Sequence, residues 1–153
     1  MVRRWDPFLL SRARIRRVKR IPKATAVLVR QSLTEEVLVI EHPLDEGGSM
    51  LQLPAGTVES NEEPEVAVLR ELTEETGVVG ELRALAGVLD EEYAGEARRR
   101  WIYLMDAPEG LPDEWPFTCD CGASIRCFWL PFETATLVES QRAWIDLARS
   151  AVR

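Results

Sequence analysis

From Ala24 onward the chain is a succession of short apolar runs, and their spacing separates strands from helices. ATAVLVR, the turn QSLTE and then EVLVIE read as a hairpin of two strands rich in branched residues. HPLDEGGSM reads as a loop, and Leu51, Gln52 and Leu53 as a short strand that ends at Pro54, Ala55 and Gly56. GELRALAGVLDEEYA and RRRWIYLMDAP give two more strands joined by a charged turn around Gly95, and ASIRCFWLP a further one. Two stretches keep a helical period instead. One runs from about Glu63 to Thr76; the other runs from Ala135 to Val152, where Leu137, Trp144, Leu147, Ala148 and Val152 fall near helical spacing. Strands flanked by two helices predict an α/β protein in which helix, mixed sheet and helix are layered.

The first helix carries the chemistry. Ser60, Asn61 and Glu63 offer capping oxygens, Pro64 suits a first helical turn, and Gly77 suits the left-handed position beyond the last. At 100° per residue Val66, Leu69, Leu72, Thr73 and Thr76 gather on one side, with Glu71, Glu74 and Glu75 nearly opposite. Like charges three and four residues apart weaken a helix by a few tenths of a kcal/mol per pair, and Arg70 relieves only part of this. A divalent cation relieves nearly all of it, because carboxylate oxygens are the ligands that Mg²⁺ or Mn²⁺ prefers. A solvated acidic face is the plainer account of an isolated E-x-x-E-E.

The surrounding residues decide between the two. Gly56, Glu62, Arg70, Glu71, Leu72, Glu74, Glu75, Gly77 and Val78 fill every fixed position of G-x5-E-x7-R-E-U-x-E-E-x-G-U, where U is a bulky aliphatic residue. This run resembles the Nudix box, the signature of the Nudix hydrolase family. The resemblance implies a Nudix-type α/β/α sandwich with a central mixed β-sheet. It also implies metal-dependent cleavage of a nucleoside diphosphate linked to another group: a nucleoside triphosphate, ADP-ribose or nucleotide sugar, or a dinucleotide polyphosphate. By the same resemblance Glu71, Glu74 and Glu75 hold Mg²⁺ or Mn²⁺, one of them or a loop acid takes the proton from the attacking water, and Arg70 and Glu62 form a structural pair that orients helix and loop. Gly56 lets backbone approach the metal, and the Ala55 carbonyl is a candidate further ligand. The family often draws another carboxylate from a loop well past the box, for which Glu114 and Asp120 are the candidates, with Glu92 behind them.

With 153 residues, 46% of them hydrophobic, the chain has material for one domain with a substantial core. The net charge of −7 hides an asymmetry: residues 1–23 hold nine Lys or Arg against one acid, and residues 24–153 hold ten against twenty-five. Residues 1–23 therefore read as a basic N-terminal arm and 24–153 as a single Nudix hydrolase domain. Such an arm suits an anionic substrate, the acidic body or a partner subunit, and dimers are common in the family. The aromatic interleaving of a nucleic-acid surface is limited to Trp5 and Phe8, which disfavours nucleic acid as the partner. No apolar run reaches the length of a membrane span and the N-terminus lacks a signal-peptide pattern, so the expected location is cytoplasmic.

Cys119, Cys121 and Cys127, without a fourth cysteine or a nearby histidine, read as free thiols rather than a zinc site. His42, the single histidine, reads as a loop residue without chemistry, and Trp101, Trp129 and Trp144 read as core. For the substrate, LPAG at Leu53–Gly56 resembles the spelling in ADP-ribose and nucleotide-sugar pyrophosphatases of the family. The ADP-ribose subgroup's proline is replaced by Tyr93, a residue able to stack on a base or to pack on the sheet, and SQPWP is absent. A catalytically idle Nudix domain serving as nucleotide sensor or nucleic-acid binder is the alternative, and its expected mark, a lost box carboxylate, is missing. An isomerase on the same fold would need more histidines than one.

Overall fold

The computed structural model describes residues 18–152. The elements follow in the order β1 (Ile21–Gln31), β2 (Glu35–Pro43), β3 (Ser49–Gln52), β4 (Ala55–Thr57), α1 (Pro64–Thr76), β5 (Glu81–Tyr93), β6 (Glu96–Asp106), β7 (Glu114–Thr118), β8 (Ser124–Pro131) and α2 (Arg142–Val152), with a short 3-10 turn at Glu139–Gln141. All eight strands join one sheet in the order β5-β6-β1-β2-β8-β7, with β3 paired to β2 and β4 to β1. The β1–β6 pairing is parallel and the others are antiparallel, so the sheet is mixed as expected.

Strand alternation sends successive residues to opposite faces, and here it builds two cores. Ala24, Ala26 and Leu28 of β1, Leu38 and Ile40 of β2, and Tyr103 and Met105 of β6 pack with Ala67, Val68 and Leu72 of α1. Their neighbours Val27, Val29, Val37, Val39, Ile102 and Leu104 pack with Phe132, Trp144, Ile145 and Ala148 on the α2 side. The central strands, apolar on both faces, are continuously buried. Gly87 serves this second layer, because a Cβ there would come within 3.0 Å of the Leu147 side chain.

Four details differ from expectation. The segment read as a loop after EVLVIE is partly strand: β2 runs on through His42 and Pro43 and turns into β3, with His42 opposite Met50. β7 was hidden by Pro116, which a sheet edge tolerates because β7 pairs only with β8. The second helix starts at Arg142 rather than Ala135; Arg149 donates to the carbonyls of Phe132 and Ala135 and holds the preceding segment against the helix, where Leu137 is buried without being helical. The packed face of α1 is Ala67, Val68, Leu72 and Thr76, while Val66 is 56% exposed. Around the helix Glu71 and Glu75 fall between Ala67 and Val68, so they share the inward-facing side instead of opposing it.

Candidate active site

α1 starts and stops where its residues dictate. Pro64 opens it, preceded by Glu63 in an extended conformation that makes no side-chain cap. It ends at Gly77 in the left-handed conformation, φ 75°, whose N–H donates to the Thr73 carbonyl. Trp115 Nε1 of β7 donates to the Thr76 carbonyl at 2.9 Å and ties the C-terminal end to the sheet edge.

Arg70 organises the acids. Its Nε and Nη2 donate to the two oxygens of Glu62 at 2.8 and 2.9 Å, Nη1 donates to Glu71 and Glu74 at 2.8 and 3.0 Å, and Nη2 also donates to the Thr57 carbonyl. Glu62 in turn accepts the Glu59 N–H at 2.9 Å, so the loop before the helix is fastened to the helix through one guanidinium. The Arg70 bonds, followed by the Glu59 N–H, hold the Glu62 carboxyl down at about 2.

Gly56 of β4 lies directly under Glu71: a Cβ at this position would stand 1.9 Å from the Glu71 carboxyl carbon. Only a residue without a side chain leaves room for that carboxylate. Glu75 lies deeper and accepts the Ala55 N–H at 3.4 Å. Burial, then the neighbouring Glu71, with smaller contributions from Asp120 and Glu74, push the Glu75 carboxyl up to about 8. Burial also raises Glu71, against the pull of Arg70. These acids are desolvated beside one another with one arginine among them, a donor set that a divalent cation would complete. Glu71, Glu74 and Glu75 could hold it, with Asp120 the further oxygen ligand within electrostatic reach of Glu71 and Glu75.

The two loop candidates part company here. Asp120 lines a small cavity together with Glu75, Gln52 and His42. Glu114 is ion-paired to Arg126 at 2.9 Å and lines a different cavity with Trp115 and Pro116. Glu92 lines a third, beside Tyr93. Tyr93 is 52% exposed, and the Arg98 guanidinium carbon lies 4.7 Å from its ring centroid. That cavity, about 490 Å³, is also bounded by Gln52, Arg98, Arg100, Gln141 and Trp144. Trp129 and Trp144 are buried, and Trp101 packs on the first core while partly exposed.

Sequence reasoning missed the cations of this region. Parallel pairing sets Lys23 of β1 beside Arg100 of β6, two residues from Arg98. Lys23 donates to Thr57 Oγ1 at 2.7 Å. Its ammonium is lowered by burial and by Arg98 and Arg100, and the charge of Glu71 acts the other way. Lys23 therefore lies within electrostatic reach of Glu71 and of Arg98 and Arg100, which border the Tyr93 cavity. It was counted with the basic arm, but that boundary falls inside β1; residues 1–17, including Trp5 and Phe8, lie outside the described residues. The run RRR at Arg98–Arg100 was visible, although its alignment with Lys23 needs the sheet.

Two of the three cysteines differ from the reading as free thiols. Cys119 and Cys121 are joined in a disulfide across the β7–β8 turn, and Cys127 is free and buried in β8.

The NUDIX domain profile matches residues 20–148, most of the chain and the whole of the site just described. The chain belongs to the NUDIX family. An 8-oxo-dGTP diphosphatase of Escherichia coli is 30% identical over 98 residues, 59% of this chain and 76% of that protein. A mouse diphosphoinositol polyphosphate phosphohydrolase, 3-alpha, is 34% identical over 86 residues, 56% of this chain and 50% of that protein. The chain thus spans about three quarters of the first relative and half of the second. In fold it is similar to the NUDIX domain of Shewanella oneidensis NrtR, complexed with ADP ribose, with a TM-score of 0.69 at 18% identity over 97% of this chain and 94% of that one. This Nudix chain is a hydrolase by family. Among its described residues no helix is long and apolar enough to cross a membrane.

Proposed function

We propose that the chain is a divalent-metal-dependent Nudix pyrophosphohydrolase that cleaves the diphosphate linkage of a nucleoside diphosphate joined to a further group. The carrying observation is the close approach of Gly56 to Glu71, which seats two desolvated carboxylates side by side at the end of β4. Glu71, Glu74 and Glu75 are the proposed ligands of Mg²⁺ or Mn²⁺, with Ala55 and Asp120 as further oxygen donors. When bound, the ion neutralises the diphosphate and makes hydroxide available near neutral pH.

The chain's own groups do the rest. Arg70 fixes Glu71 and Glu74 and anchors the loop through Glu62. Lys23 and Arg98 offer positive charge to the phosphate oxygens between the acids and the cavity. Tyr93, with Arg98 over its ring, offers a flat surface for a base. That surface favours nucleotides over a non-aromatic polyphosphate such as the diphosphoinositol substrates named for the mouse relative.

The test is turnover of nucleoside triphosphates including 8-oxo-dGTP, ADP-ribose, nucleotide sugars, dinucleotide polyphosphates and a diphosphoinositol polyphosphate, with Mg²⁺ or Mn²⁺ and product identification. Cleavage of a nucleotide substrate between phosphorus atoms, lost in Glu75→Gln while the fold persists, is expected. Turnover of the inositol compound alone, or full turnover by Glu75→Gln, would overturn the proposal.

A further inference from the structure

Behind the acids, the β7–β8 turn and the end of β2 bring three soft or borderline metal ligands together. The ligating atoms of His42, Cys119 and Cys121 all lie within 4.8 Å of one another. They come from distant parts of the chain: His42 sits in β2, and the two cysteines flank Asp120 in a turn closed by Cys119 N–H to the Ala123 carbonyl and Gly122 N–H to the Cys119 carbonyl. The His42 ring forms no hydrogen bond or ion pair with any described residue, so both of its nitrogens are uncommitted within that set. All three residues border one cavity of about 130 Å³, with Cys121 exposed, His42 half-buried and Cys119 buried.

We infer that this turn is a thiol-gated metal site: with the Cys119–Cys121 disulfide reduced, His42 and the two thiolates bind a borderline-soft divalent cation of the Zn²⁺ class, and with it oxidised they do not. Sulfur that is bonded to sulfur is a poor ligand, whereas two thiolates and an imidazole are a three-ligand zinc set with one tetrahedral position left for water. Tetrahedral Zn–S bonds place the sulfurs ~3.8 Å apart. The Cα atoms of Cys119 and Cys121 are 5.1 Å apart, a separation at which χ1 rotation alone sets the sulfurs at that distance.

The gating step balances. A dithiol reductant attacks the exposed Cys121 sulfur and expels the Cys119 thiolate; its second thiolate then closes its own disulfide and releases Cys121. Two electrons and two protons pass to the protein, and the reductant becomes a cyclic disulfide. Binding the cation then displaces the two thiol protons. Because Glu75 and Asp120, both proposed for the hard metal, border the same cavity, the bound charge lies directly beside the hard-metal carboxylates.

The experiment uses the full chain, oxidised or reduced with dithiothreitol and freed of reductant without oxygen. Co²⁺ is titrated under saturating Mg²⁺, which keeps the carboxylates occupied. A thiolate-to-Co²⁺ charge-transfer absorption is expected at about one equivalent in the reduced protein, absent in the oxidised protein and abolished by Zn²⁺ competition. Cys121→Ser should lose it, and His42→Ala should weaken Co²⁺ binding by at least about tenfold, since even outer partners of a metal ligand are worth 10–100-fold. The oxidised-versus-reduced comparison needs no substitution and stands if a variant fails to fold. No thiolate band in the reduced protein, or a band indifferent to Cys121→Ser or to His42, would overturn the inference. None of these readouts depends on the hydrolase reaction.

Discussion

Two regions of the molecule are rich in charge and are wired in opposite ways. Along β5 and β6, each arginine has a carboxylate of its own. Arg99 grips Asp90 through two bonds, Arg83 grips Asp106, Arg98 bonds Glu96, and Arg100 bonds Glu91 at 2.6 Å. One of these pairs is set directly by the cross-strand register, in which Asp90 stands opposite Arg99; Arg100 reaches Glu91 diagonally, because Glu91 stands opposite Arg98. At the box, one arginine serves Glu62, Glu71 and Glu74 while Glu75 has only a backbone N–H. In the ladder every arginine is matched by a carboxylate, which helps to hold the sheet together. The box is short of positive charge where it is least hydrated, which costs stability in the free protein and creates affinity for a cation.

Substitutions can break this contrast. The largest effect is expected from Gly56→Ala. Its methyl would occupy the space of the Glu71 carboxylate, so turnover should fall on the order of 100-fold, as when a positioned catalytic group is displaced, with melting temperature changed far less than activity. Equal loss of both would make Gly56 a folding residue only. Next comes Arg100→Met, which keeps the alkyl packing but strips the cation from a side chain 4% exposed, bonded to Glu91 and Thr25 and stacked 3.7 Å from the Trp144 ring centroid. Breaking a buried pair on one side costs about 3 kcal/mol, a fall in Tm on the order of 10 °C. An unchanged Tm would show that the β5–β6 charges do not support the fold.

The smallest effect should follow Asp90→Ala. Its partners Arg99 and Arg20 are, like it, well exposed, and water replaces such a pair with little loss. Thermal melting should barely move, although Asp90 also borders the Tyr93 cavity. A large drop in Tm would remove the distinction between ladder and box.

The box was legible because its parts are close in sequence: one short strand, one loop and one helix carry Gly56, Glu62, Arg70 and the three acids, and helical geometry sets the spacing of Arg70 and the acids. What the chain concealed depends on distant pairing. Lys23 meets Arg100 only through the parallel β1–β6 ladder, and Asp120 separates from Glu114 only once the β7–β8 hairpin forms. The tilt of α1 was misjudged because Val66 was counted with the core, whereas the small Ala67 packs there and turns Glu71 and Glu75 toward β4. The disulfide depended on a turn that brings Cys119 and Cys121 together, which spacing alone did not specify.

Calorimetric titration of Mn²⁺ into the chain and into Glu71→Gln and Glu75→Gln tests the central claim most directly, because it reads the cation itself rather than its consequences. Saturable binding to the unsubstituted protein is expected, weakened by at least about tenfold in each variant. Proton release should accompany it when Glu75, held near 8 by burial and Glu71, ionises to become a ligand. Each variant should melt no lower than the metal-free parent, since removing one of several crowded carboxylates relieves repulsion. Undiminished Mn²⁺ affinity in both variants would contradict the account.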